Sequence, residues 1–157
     1  MGQISEGIAN EAQSAISEIK NAVNSCSDSK WTGAQTGEGW NVCATAHHVA
    51  IGMVPTLGFV QLIVNNQPFP PFTFDGLNQM NADHARDFAG VSKADTLAEL
   101  DKNANATLSA LRSLADEEMK RSAQVPFFGR IMTAEEMARD VYLGHLQEHL
   151  GTIKAAI

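Results

Sequence analysis

The sequence predicts an all-α fold, a four-helix bundle with a long crossover connection between its second and third helices. Three observations lead there. Four stretches repeat apolar residues at the spacing of a helix that buries one face. The intervals between them carry glycine, proline and asparagine, which end helices and make turns. One interval, residues 65 to about 92, is longer than two antiparallel neighbours need, so it reads as a crossover or a lid. With 157 residues, 44% hydrophobic, and no repeat or composition shift, the chain is expected to be one domain, residues 1–157.

The first helix is predicted over residues 4 to 26, where Ile4, Ile8, Ala12, Ala15, Ile16, Ile19, Val23 and Cys26 recur among Glu, Gln, Ser, Lys and Asn. Residues 27 to 39 have no period and three glycines, which predicts a loop. Asn41 is a natural N-cap for the second helix. Its apolar residues run nearly all the way round, from Val42 to Ile63, so it should be buried on more than one side. Pro55 removes a backbone hydrogen bond to Ile51, and a kink is expected there. The helix should end before Asn65-Asn66-Gln67-Pro68.

In the crossover, Pro68 to Gly76 cannot continue a helix, and Phe69, Phe72 and Phe74 should pin this segment to the core. Asn78 to Phe88 is read as a short helix. Ser92 caps the third helix, whose stripe is Leu97, Leu100, Ala104, Leu108, Leu111 and Leu114. Ala115 to Met119 closes it or turns beyond it, and residues 121 to 131 are read as a second loop. Thr133-Ala-Glu-Glu136 is a capping box that starts the fourth helix.

Bulk properties restrict the partners expected. A formal charge of −7 and a pI near 5.1, with scattered basic residues, argue against nucleic acid or an anionic membrane. The apolar run from Val42 to Val64 is broken by His47-His48, Gly52, Pro55 and Thr56, so it reads as a buried helix rather than a membrane span. No charged-then-apolar leader opens the sequence. Cys26 and Cys43 are then expected as reduced thiols, and the location as cytoplasmic.

The chemistry centres on Val141-Tyr-Leu-Gly-His145-Leu-Gln-Glu-His149-Leu150. Residues four apart on a helix lie one turn apart on one face, so both imidazoles can meet one ion. On projection, Ala138, Val141, Tyr142, Leu146, Leu150 and Ile153 fill an apolar arc roughly 200° wide. Both histidines fall inside it, while Glu136, Asp140, Gln147 and Glu148 lie opposite. Core-facing imidazoles need partners, which a metal or backbone carbonyls and hydroxyls would provide. A catalytic metal site commonly has three protein ligands and an open position. His47 and His48 on the second helix point about 100° apart, so only one of them suits the same site.

The chain resembles the DinB/YfiT-like metalloprotein superfamily. The resemblance rests on Gly39-Trp40-Asn-Val-Cys-Ala-Thr-Ala-His47-His48, on Asn81-Ala-Asp-His-Ala-Arg and on Val91-Ser-Lys-Ala-Asp95 with its leucine stripe. It rests also on Leu114-Ala-Asp-Glu-Glu-Met119 and Gly144-His145-Leu-Gln-Glu-His149-Leu-Gly-Thr-Ile153. The family's spacing from tryptophan to histidine selects His48. The resemblance thus implies a divalent metal, zinc or nickel or else iron, on His48, His145 and His149. One departure is Ala44, where the family often has an acidic residue after the helix cap.

Some members use low-molecular-weight thiols, so the resemblance implies a thiol S-transferase or isomerase acting on a small-molecule substrate. Metal-dependent hydrolysis is the second enzymatic reading, and a non-catalytic metal-stabilised bundle is the third. Relatives often dimerise, which the broad apolar arcs would allow. His84, on the crossover, could overhang the site as an acid or base, and Tyr142 could hydrogen-bond near it or serve as a core aromatic. Arg130 and Arg139 could attract an anionic substrate.

Other chemistries lack their residues. His145-Leu-Gln-Glu148-His149 matches an inverted zinc-protease pattern, but Glu148 projects to the polar side and no downstream ligand follows. A ferritin-like di-iron site needs Glu three residues before His on two helices, and no histidine has one. There is no phosphate-cradling glycine loop.

Overall fold

The computed structural model describes residues 2–157. Four long helical elements form the bundle: α1 (Gln3–Ser25), α3 (Val42–Val64), α5 (Lys93–Arg112) and a final helix. The final helix comprises α7 (Ala134–Met137), a π-helical segment (Ala138–Leu143) and α8 (Gly144–Ala156). Three starts follow from side chains that satisfy free amides: Asn41 accepts from the Ala44 amide, Ser92 from that of Asp95, and Thr133 from that of Glu136. Glu136 returns the bond to the Thr133 amide at 2.7 Å, completing the capping box.

Contacts between the helices give their directions. Lys20–Asp101 and Arg112–Glu6 make α1 antiparallel to α5. Arg139–Glu11 and Lys154–Glu18 make α1 parallel to the final helix. Asn41 donates to the Ala89 carbonyl at 2.7 Å, and Asn103 to the Ala50 carbonyl at 2.9 Å, so α3 and α5 run the same way. Joining two parallel neighbours forces the intervening chain to travel the length of the bundle. That is the crossover, and α4 (Phe74–Asp87) carries it back. Both α1 and α3 pack chiefly on α5 and the final helix, and so occupy opposite corners.

This arrangement explains why α3 is apolar nearly all round. Two sides meet bundle helices, and a third is covered by α4, none of whose residues is buried. Among the described residues α3 alone is long and apolar enough to cross a membrane, yet half of that stretch is buried within the bundle.

Several elements differ from the sequence expectations. Residues 27–39 contain a short helix, α2 (Asp28–Gly33), capped by Ser27 and anchored by buried Trp31, whose indole donates to the Val91 carbonyl at 2.8 Å. Six residues are too few to show a period. Helix α4 begins at Phe74 rather than Asn78, because Thr73 caps it by accepting from the Gly76 amide. Of the three crossover phenylalanines only Phe69 packs against the core, whereas Phe72 and exposed Phe74 meet Phe127 of the second loop with tilted rings, centres 5.0 and 4.1 Å apart.

That second loop is partly an antiparallel hairpin of β1 (Ser122–Val125) and β2 (Arg130–Thr133), with Gly129 at φ +66° in its turn. Helix α6 (Asp116–Met119) precedes it as a separate turn. Helix α3 continues as one element through Pro55, and the Thr56 hydroxyl donates to the Gly52 carbonyl at 2.7 Å. In the π segment the Gly144 amide bonds the Arg139 carbonyl, five residues back. A projection at a uniform 100° per residue carries the wrong phase across that insertion.

Candidate metal centre

His48 lies in the second turn of α3, and His145 and His149 lie in the first two turns of α8. The final helix runs antiparallel to α3, so its later half, which carries His145 and His149, lies against the first half of α3. One nitrogen from each of the three rings lies within 4.8 Å of the others, the one such potential ligand group among the described residues. The Nε2 atoms of His145 and His48 are 3.0 Å apart. Sequence neighbours could not show this, since His48 and His145 are 97 residues apart.

Gly52 makes the approach possible. It is one turn beyond His48, and a Cβ there would lie 2.4 Å from Cε1 of His145. The His145 ring therefore rests on the bare backbone of α3, a reason for glycine inside a buried helix. The π segment ends at Leu143, just before this ring, and sets the phase at which α8 presents it.

The donor set fits a divalent metal. Burial, then the neighbouring His149, pushes His48 down to about 4 and His145 down to about 3. Both rings are therefore neutral at neutral pH, the form in which imidazole ligates. His145 Nδ1 is buried without a hydrogen-bond partner. A backbone carbonyl or hydroxyl at this ring would have been the alternative to a metal, and neither nitrogen has one.

The remaining rings extend the cluster to all five histidines of the chain. His47 is buried, with Nδ1 3.4 Å from Nε2 of His84 and its ring stacked on Phe88 at 4.1 Å. His84 reaches in from α4, its ring edge-on to His48 with centres 5.6 Å apart. Burial, then His47, lowers its pKa. The Trp40 ring meets His48 edge-on at 5.2 Å.

Tyr142 is fully buried, and its hydroxyl is 2.9 Å from that of Thr107 on α5. Cys43 points away from the triad and donates to the Ala89 carbonyl at 3.0 Å. Arg130 and Arg139 are paired with carboxylates, Asp140 and Glu136 for the first and Glu135 and Glu11 for the second.

One residue at the site gave no sequence signal. Glu38, in the loop between α2 and α3, accepts from His149 Nδ1 at 2.7 Å and from the Thr152 hydroxyl at 3.0 Å. Burial would raise its pKa, but hydrogen bonds, those from His149 and Thr152 among them, outweigh it and leave the carboxyl below its usual value. A lone acid in an aperiodic loop has no spacing to mark it.

Several solved structures share the fold. YfiT from Bacillus subtilis, described as a probable metal-dependent hydrolase with an unusual four-helix bundle topology, is 21% identical with a TM-score of 0.75, covering 96% of this chain and 84% of that one. A mycothiol-dependent maleylpyruvate isomerase is 15% identical with a TM-score of 0.72, and the match covers 98% of this chain but only 61% of the isomerase. The colibactin self-resistance protein ClbS, solved in complex with double-stranded DNA, is 11% identical with a TM-score of 0.75, covering 97% of this chain and 94% of that one. No curated protein matches significantly.

The ClbS complex corrects one expectation. Net charge and pI predict that nucleic acid is not a partner, alongside the small-molecule substrate and homodimer that the resemblance implies. A protein of this fold binds DNA, so that exclusion fails. The physical reason is that net charge sums over the whole surface, whereas nucleic acid responds to the local arrangement of charge.

The family model of the DinB superfamily matches residues 12–153, from the first helix through both C-terminal histidines, and the chain belongs to that superfamily.

Proposed function

We propose that this protein is a metal-dependent enzyme of the thiol S-transferase or isomerase type, with a divalent ion on His48, His145 and His149. The observation that supports it best is the convergence of three imidazole nitrogens within 4.8 Å between antiparallel helices. Three neutral ligands leave the ion's full charge available, and such an ion lowers the pKa of a thiol or water that it binds. Zinc and nickel suit an imidazole set, as does iron.

The chain's own residues have separable tasks. His48, His145 and His149 hold the ion. His84 carries a ring nitrogen to the edge of the cluster from a crossover helix with no buried residue, and is the candidate to pass a proton to or from substrate. Tyr142, one turn before His145, supports the final helix through Thr107 and is the second candidate to influence the reaction. Both cysteines are free and buried, which supports a reducing, cytoplasmic setting where low-molecular-weight thiols are available. The description of YfiT favours hydrolysis as the second reading.

Metal analysis of protein purified without a metal-affinity tag, beside the His48→Ala variant, tests the centre. About one zinc, nickel or iron per chain, absent from the variant, is expected. The loaded protein is then assayed with thiols and electrophiles, and separately with ester and amide substrates. Wild-type protein that carries no metal and takes up neither zinc nor nickel would overturn the enzyme reading.

A further inference from the structure

We infer that Glu38 is a positioning residue, which fixes the proton of His149 on Nδ1 and so turns the lone pair of Nε2 toward the shared metal site. The inference rests on the metal reading proposed above.

A carboxylate only accepts hydrogen bonds, so a Glu38 oxygen 2.7 Å from His149 Nδ1 requires that this nitrogen carry the proton. In neutral imidazole the other nitrogen is then the ligand atom. Neither remaining ring of the triad has such a partner, since His145 and His48 meet through Nε2 and His145 Nδ1 has none. His149 is therefore the one ligand whose tautomer is set before any ion arrives.

The loop that carries Glu38 is built to hold it still. The Thr36 amide donates to the Trp40 carbonyl at 2.8 Å, and the Gly39 amide to the Thr36 carbonyl at 3.0 Å. The buried Thr36 hydroxyl lies 2.9 Å from that of Thr45 on α3, which ties the loop to the helix bearing His48. Gly39 stands at φ +80°, a conformation that favours glycine and closes the turn directly after Glu38. On the other side, Thr152 bonds the same carboxylate oxygen as His149 does, one turn along α8. The carboxylate thus couples the α2–α3 loop to the helix that supplies two ligands.

The test uses the full chain and two readouts. In metal-free protein, nitrogen-15 NMR of the imidazoles should show His149 in the Nδ1–H tautomer in the wild type and in Glu38→Asp. Glu38→Ala should shift it toward Nε2–H. Competitive zinc titration should show affinity about 10- to 100-fold weaker in Glu38→Ala, largely recovered in Glu38→Asp. Circular dichroism of Glu38→Ala separates this from unfolding, and if that variant fails to fold, Glu38→Met, which offers His149 no oxygen acceptor, supplies the same comparison. An unchanged tautomer would overturn the inference, even if affinity fell. Unchanged affinity with an altered tautomer would overturn the link to the ion. Wild-type protein that binds no zinc would defeat the metal reading instead, and the tautomer would still decide whether Glu38 orients His149.

Discussion

Helices α1 and α3 stand at opposite corners of the bundle and pack on the same two partners, yet they bury different chemistry. Helix α1 presents Ile8, Ala12, Ile16, Ile19 and Val23, with Ser5 its one buried polar residue, bonded to the Leu114 carbonyl. Helix α3 buries Thr45 and His47 and directs His48 at a second histidine. Polar groups in a core need partners, and Thr45 and His47 of α3 each find one outside the four long helices. Thr36 comes from the α2–α3 loop and His84 from the crossover. Extra segments have thus accumulated around the corner that carries most of the buried polar groups, while α1 has one such side chain, met by the turn just past α5.

If the corners are separate, the largest change in stability should come from α1 without touching the metal. Ile19 is fully buried. Ile19→Ala should cost about 2–5 kcal/mol, the range for removing a large aliphatic side chain from a core. Denaturant titration would measure the loss, and the folded variant should keep the wild-type metal stoichiometry. Folded Ile19→Ala without metal would show that the two corners are one unit.

Acid should act through the opposite corner. His48 and His145 have folded pKa values of about 4 and about 3, below the ordinary 6.5. Between those values the unfolded chain binds more protons than the folded one, so stability rises with pH. In metal-free protein this contribution is complete above about pH 6.5 and is lost progressively toward pH 3. Melting temperatures across that range should fall for the wild type and fall less steeply for a His48→Ala/His145→Ala double variant. Equal slopes would mean that the rings are not buried in solution as they are here.

The same contrast explains what could be read from the sequence. The α1 face was legible because one apolar stripe meets one core, and the caps at Asn41, Ser92 and Thr133 were legible because each bonds an amide three residues away. His145 and His149 were legible as a pair because both lie within α8. His48 could be chosen over His47 only through a family resemblance, since its partner is 97 residues distant. Glu38 reaches across 111 residues from an aperiodic loop, and Gly52 matters through a ring that no local pattern places beside it. Helix α2 escaped because six residues hold less than two full helical periods, and the hairpin because its four-residue strands do not alternate in burial. Support for a polar core is long-range contact, which periodicity does not encode.

Gly52→Ala gives a smaller and more selective test. Alanine is about 1 kcal/mol better than glycine in a helix interior, so metal-free stability should be retained or raised if His145 can withdraw. The added Cβ would nonetheless occupy the place of the His145 ring, 2.4 Å from Cε1. Zinc affinity should fall by about tenfold or more, as when a ligand's support is disturbed. Unchanged affinity would show that the ring has another position from which it ligates equally well.

The smallest effect expected is that of Tyr142→Phe, which asks on which side of the comparison this residue belongs. Its hydroxyl is buried and 2.9 Å from that of Thr107, which also donates to the Asn103 carbonyl at 2.8 Å. Removing the tyrosine oxygen therefore leaves Thr107 with a partner, and the cost should be about 1 kcal/mol. The ring remains to fill the core. If the hydroxyl serves packing alone, the variant keeps the wild-type zinc affinity and, once a substrate is found, the wild-type kcat. A fall in kcat beyond the change in stability, at unchanged metal content, would place Tyr142 with the histidines and make the π-helical segment part of the reactive corner.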